Sequence, residues 1–180
     1  RAADPGGRDP VRNVSFTVHR GEIVGIAGVE GNGQSELVRS LVGLVPSTGS
    51  VVVDGNDIAR LSTRERRDAG IGYISEDRQK DGLVLGFSLW ENAALGHQHR
   101  RPFAKGPWLD LGGTKARTEV IVEEFDVRTP SINVPAFTLS GGNQQKLVVG
   151  REMTADPKVL VAAHPTRGVD VGAQSVIWDI

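Results

Sequence analysis

Two stretches of the chain carry residues suited to handling a polyphosphate. The first is Gly28-Val29-Glu30-Gly31-Asn32-Gly33-Gln34-Ser35, set between the apolar run Ile23-Val24-Gly25-Ile26-Ala27 and a helical segment, 35–42. Strand, glycine loop and helix in that order let backbone N–H groups close around phosphates while the helix adds its positive end. Gly28, Gly33 and Ser35 fit the phosphate-loop spacing G-x-x-x-x-G-K-[ST], but Gln34 stands where the lysine belongs. The second stretch, Leu139-Ser140-Gly141-Gly142-Asn143-Gln144, places a hydroxyl and unpaired N–H groups at a helix start. Alone, such a tetrapeptide reads as a serine N-cap.

The glycine loop has a rival reading. Gly31-Asn32-Gly33 with Asp54 some way downstream evokes the dinucleotide fingerprint G-x-G-x-x-G and its ribose-binding acid. That fingerprint requires a third glycine where Glu36 stands, and a carboxylate there would spoil close helix–sheet packing and repel a pyrophosphate. The phosphate-loop reading is preferred.

The elements that must position these residues follow from periodicity. Residues 1–10, with Pro5, Gly6, Gly7 and Pro10, read as a linker, and the alternation in Val14-Ser15-Phe16-Thr17-Val18 predicts a half-buried strand. Ile23–Ala27 is expected as the central strand, and Leu37, Val38 and Leu41 share a face of the helix that Gly43 and Pro46 end. Ser50–Val53 closes on Asp54-Gly55, a hairpin or tight-turn signal, and Ser62 with Glu65 forms a capping-box pattern at the head of a solvated helix. Ile71–Ile74 is a buried-strand candidate followed by a polar loop, 75–82. Helical patterns at 88–95 and 115–125 flank a Pro/Gly/Arg loop, 96–113, in which His97 and His99 read as exposed loop histidines. Phe87, Trp90 and Trp108 read as packing residues, since no basic stripe accompanies them. The signature-like stretch opens a helix reaching about Thr154, and Pro157 introduces a strand, 158–163.

Bulk properties narrow the class. With 180 residues and 38% hydrophobic content the chain can bury one domain's core, and a net charge of -1 argues against a dedicated nucleic-acid binder. No cysteine is present, which removes disulfides and thiolate metal sites and suits a reducing compartment. No apolar run approaches the ~18 residues of a membrane span. The start at Arg1 and the end at Trp178-Asp179-Ile180 suggest a piece of a longer polypeptide, truncated at both ends.

Taken with Val159 to Asp170, the two stretches resemble the nucleotide-binding domain of ATP-binding cassette (ABC) transporters over nearly the whole chain. Gly28–Ser35 resembles the Walker A loop, Ile71–Asp77 the strand into the Q-loop, Leu139–Gln144 the signature motif and Thr166–Asp170 the D-loop. Ser75-Glu76-Asp77-Arg78 and Pro165-Thr166-Arg167-Gly168-Val169-Asp170 look most like the second, degenerate cassette of tandem ATPase subunits serving simple-sugar and nucleoside importers. The resemblance implies an α/β fold: a RecA-like P-loop NTPase core with an antiparallel β element near 11–18 and 50–53. It divides the chain into core residues 1–76, a helical subdomain 77–137, and core residues 138–180.

The roles it implies are specific. Gly28, Glu30, Gly31, Asn32, Gly33, Gln34, Ser35 and Glu36 would line this chain's own nucleotide site, with Ser35 toward Mg²⁺. Ser140, Gly141, Gly142, Asn143 and Gln144 would complete the ATP site of a partner cassette, either a preceding cassette of the same polypeptide or a homodimer mate. Glu76 takes the Q-loop position and Gly168, Val169 and Asp170 the D-loop. Three positions depart from the pattern: Gln34 replaces the Walker A lysine, Ala163 the Walker B aspartate and His164 the catalytic glutamate. At that position His164 is a candidate for the base. Losing one cation beside a polyphosphate forfeits about 4 kcal/mol per unit-charge pair at 4 Å and an effective dielectric of ~20 before desolvation. Weak or absent binding of ATP and Mg²⁺ at this loop is therefore expected. The implied partners are transmembrane permease subunits, which a groove near 76–90 would receive, and, indirectly, a periplasmic or lipoprotein solute-binding protein, with no nucleic acid. The implied location is the cytoplasmic face of the membrane. Two other readings are a nucleotide-independent dimerisation module and an ABC-superfamily ATPase unrelated to transport.

Overall fold

The computed structural model describes residues 11–29, 31–169 and Gln174. Two compact units divide near Ile71.

In the first unit, helix α1 (Gln34–Leu41) follows the glycine loop, and strands β1 (Val52–Val53) and β2 (Asn56–Asp57) form an antiparallel hairpin. Asp54 and Gly55 both take positive φ, 49° and 77°, as the Asp-Gly signal for a primed hairpin turn requires. Helix α2 (Thr63–Asp68) starts on the expected capping box: Ser62 Oγ accepts from Glu65 N–H while the Glu65 carboxylate accepts from Ser62 N–H at 2.8 Å. This helix is not merely a solvated one. Arg66 is 3% exposed, and its guanidinium donates to the carbonyls of Ser40 and Leu41 at the end of α1, and of Ala59 and Leu61. It thereby satisfies C-terminal carbonyls that α1 leaves without intrahelical partners.

Two expected strands are absent from this unit. Residues 14–18 and 23–27 form no strand, and Val14, Phe16 and Val18 are exposed, as is Ile23 at 98%. Apolar residues on an extended segment become buried only when neighbouring strands and helices cover both faces. Among the described residues of the unit the paired sheet is the β1–β2 hairpin, so the antiparallel element lies at 52–57 rather than spanning 11–18.

The second unit holds the larger core. Strand β3 (Ile71–Ile74) pairs with β6 (Val159–Ala162), and between them come α3 (Leu89–Ala94), the hairpin β4 (Ala104–Lys105) with β5 (Trp108–Leu109), α4 (Leu111–Glu124) and α5 (Gly141–Met153). Helices α3, α4 and α5 pack on one another around Leu89, Ile121, Leu147 and Val148, all nearly or fully buried. The expected polar loop at 75–82 contains a π-helical turn, Arg78–Gly82, whose first N–H groups are capped by Asp77. The segment expected to be a loop at 96–113 contains the β4–β5 hairpin.

Three expectations for side chains fail here. His97 is buried, 2% exposed, with its ring stacked on Phe103 at 5.9 Å and its Nδ1 against Arg100. Trp108 is 77% exposed at the hairpin and Phe87 is also exposed, so neither is a core residue. Trp90 does pack, partly buried, beneath the Lys115 ammonium at 5.5 Å.

Polar hubs stitch the second unit together. Asn92, fully buried, accepts from Val84 N–H and donates to the carbonyls of Val84, Phe87 and Ser88. Glu152, also fully buried, accepts from Arg151 at 2.9 Å and from Tyr73 N–H at 3.2 Å, while Arg151 donates to Gly82 and Asn92 carbonyls. This pair ties α5 to β3, the π-helical turn and α3.

Candidate functional site

The glycine loop lies within the first unit. Gly31 and Gly33 take positive φ, 88° and 97°, and Gly33 caps α1 without a side-chain hydrogen bond. Asn32 N–H donates to Val29 O at 3.2 Å, closing the turn. Gln34, where a lysine would extend toward phosphates, folds back: its amide donates to Val29 O at 3.0 Å and lies where a Cβ on Gly28 would sit, 2.0 Å away. The loop is thus crossed by a neutral amide bonded to its own backbone. Ser35 is exposed and Glu36 half-buried on the first turn of α1; Glu30 lies outside the described residues.

The signature stretch opens α5 in the second unit. Ser140 is exposed and caps the helix, its Oγ accepting from Asn143 N–H at 3.4 Å and from the Asn143 amide at 3.0 Å. Its own O–H has no acceptor among the described residues, nor have the N–H groups of Gly141 and Gly142. Asn143 spends its carbonyl oxygen on Arg128 N–H at 2.8 Å. Gln144 faces inward, 3% exposed, donating to Ala136 and Leu139 carbonyls and accepting from Gln79. The sequence placed Gln144 among phosphate contacts; its amide is consumed in anchoring the helix start, so it positions the motif rather than presenting a donor.

Around that helix start the Q-loop and D-loop segments converge. Arg78 donates to Arg167 O at 2.8 Å and Gly168 O at 3.2 Å, and Arg167 in turn pairs with Glu76. Glu76, at the Q-loop position, is ion-paired with Arg167, while the Arg78 guanidinium donates to the carbonyls of Arg167 and Gly168. Gln145, 2% exposed, donates to Pro165 O at 2.7 Å. A Cβ on Gly141 would stand 2.5 Å from an Arg78 nitrogen and 3.2 Å from Gly168 O, so only glycine admits this close approach. Arg78, Gln79 and Gln145 were not singled out as site residues, and their side chains reach 20 to 90 positions along the sequence, beyond any local pattern.

The strand at the Walker B position runs into Ala163 and His164. Ala163 continues β6 with its N–H donating to Ile74 O at 2.9 Å, and exposed His164 takes φ of 48°, its imidazole without a hydrogen bond among the described residues. No grouping of three or more His, Cys, Asp or Glu side chains suited to a metal occurs among the described residues. Ala163 has no side-chain oxygen to offer a metal at this strand end. Val169 is half-buried and Asp170 lies outside the described residues.

A family model described as ABC transporter matches residues 11–167. The chain is 45% identical over 171 residues to the guanosine import ATP-binding protein NupO of Bacillus subtilis (strain 168), covering 94% of this chain and 34% of that protein. It is 46% identical over 175 residues to the glucose import ATP-binding protein TsgD13 of Haloferax volcanii, covering 96% and 32%. Against the nucleoside import ATP-binding protein NupA of Lactococcus lactis subsp. cremoris the figures are 42% over 164 residues, covering 91% and 32%. The chain thus spans about a third of the length of the curated relatives it matches. Among solved structures it is similar to the dimeric structure of the ATP-binding cassette MJ0796 bound to ADP and Pi, with a TM-score of 0.77 over 94% of this chain and 72% of that one. At 24% identity that likeness speaks for the fold alone.

Proposed function

The chain belongs to the ABC transporter family and has its α/β cassette fold, and we propose that it is the second cassette of a tandem ATP-binding subunit energising import of a simple sugar or nucleoside. In this reading its signature helix completes the ATP site of the other cassette, while its own Walker loop binds Mg-ATP weakly or not at all. Hydrolysis takes place in the full assembly, at the site whose acid and lysine the other cassette supplies. The relatives whose names specify import of guanosine, glucose and nucleosides support the transport class.

The observation that carries the proposal is the start of α5: an exposed Ser140 hydroxyl whose O–H has no acceptor among the described residues, beside the N–H groups of Gly141 and Gly142, likewise without acceptors there, at the helix's positive end. Against it stands the loop bridged by the Gln34 amide, with alanine at the metal-holding position. Exposed Val84, Phe87 and Phe137 lie on adjoining segments, joined by Phe137 N–H to Leu85 O and Ala136 N–H to Phe87 O. That apolar strip beside the Q-loop supports docking of a permease helix on the cytoplasmic face of the membrane. No helix among the described residues is long and apolar enough to cross a membrane.

Replacing Ser140 by glutamate in the full-length subunit places a negative charge where the terminal phosphate would bind. ATP-driven uptake in vesicles is expected to fall to background; uptake at the wild-type rate would refute the assignment.

A further inference from the structure

We propose that the second unit carries an anion site for a phosphate group, free or as the monoester of a small metabolite, in the arginine-lined cavity between the Arg100-Arg101 turn, α4 and the end of α5. The cavity measures about 170 Å³, and a single water needs about 10–15 Å³ by such a measure, so a phosphate with a small substituent has room. Arg100, Arg101, Arg117 and Arg151 line it, and no carboxylate does. Four like charges gathered around one space repel one another unless an anion or structural partners offset them.

Structural partners account for only part of this cluster. Arg151 is committed to Glu152 and two carbonyls, and Arg117 donates to the Thr154 carbonyl at the end of α5. Arg100 meets the His97 imidazole, and Arg101 has no partner among the described residues. All four guanidinium-bearing residues line this cavity, so an anion entering it meets their side chains. The turn that presents them is held in place: His97 is buried and stacked on buried Phe103, and Phe103 and Ala104 N–H groups return to Arg100 O. A planar fork of donors matches phosphate oxygens two at a time, which singles out phosphate over halide.

The test is a titration of the chain followed by NMR at the arginine Nε–Hε signals, with inorganic phosphate, ribose 5-phosphate and ribose as separate arms. Phosphate or its ester should shift the signals of Arg100, Arg101 and Arg117 and saturate below ~10 mM, while ribose does nothing. Equal affinity in the two phosphate arms identifies free phosphate as the ligand, and tighter binding of the ester identifies a monoester. Arg101→Glu, at an exposed position without a partner, should weaken binding about tenfold or more, whereas Arg60→Glu, an equal charge change in the other unit, should alter it less than about twofold. Shifts that fail to saturate, that sodium chloride reproduces at matched ionic strength, or that survive Arg101→Glu would overturn the site.

Discussion

Glu152 shows how single residues carry this chain's organisation. Its carboxylate has no exposed surface, and the Arg151 guanidinium and Tyr73 N–H are among the groups that hold it. Removing the guanidinium by Arg151→Met takes away its ion pair with that carboxylate and its hydrogen bonds to the Gly82 and Asn92 carbonyls. A loss of about 3–5 kcal/mol in unfolding free energy, measured by urea denaturation, is expected; a change within ~1 kcal/mol would show the pair to be dispensable. Hubs of this kind, Arg66, Asn92 and Arg151 among them, were not legible beforehand. Periodicity registers apolar residues and not hydrogen-bond partners, and for Arg151 and Glu152 the partners outside the pair lie 59 to 79 positions away.

At the scale of elements, caps and ion pairs fix where helices begin and how they meet. Ser88 starts α3 with a capping box, its Oγ accepting from Glu91 N–H while the Glu91 carboxylate accepts from Ser88 N–H and O–H. Those bonds, the side-chain one first, hold the Glu91 carboxyl below its ordinary range. Ser88→Ala should cost about 1 kcal/mol of stability and let the Glu91 pKa rise toward its ordinary value, which NMR titration would follow; an unmoved pKa would contradict the box. Asp126, just past α4, accepts from Lys146 of α5 at 2.8 Å, and that hydrogen bond, with the ammonium's charge, depresses its pKa. A depressed carboxyl contributes stability that is present above its unfolded pKa, near 3.9, and is lost as pH falls through the lower folded value. Asp126→Asn should therefore flatten the acid limb of the stability profile below about pH 4, and an unchanged limb would remove this contribution. The helices, both hairpin-forming residues of the turn and the Ser62 capping box were readable from local signals. Strands 14–18 and 23–27 were expected from apolar alternation, but alternation only states what a segment would bury if neighbours covered it, and in the first unit none pairs with it.

For the molecule as a whole, the proposal is an asymmetry between two phosphate-handling stretches. The signature end of α5 is supported on several sides by Gln144, Gln145, Arg78 and the D-loop carbonyls, and it leaves donors free. The glycine loop has its charged residue replaced and its amide turned onto its own backbone. That asymmetry was visible in the substitutions at 34, 163 and 164, while the Gln34 fold-back and the inward turn of Gln144 required coordinates. The most direct measurement is calorimetric titration of the chain with Mg-ATP. No saturable heat is expected below ~1 mM nucleotide, since the loop has lost the lysine and the strand end its metal-holding acid. Binding with a Kd in the micromolar range would contradict the reading of Gln34 and Ala163 and restore this loop as a working nucleotide site.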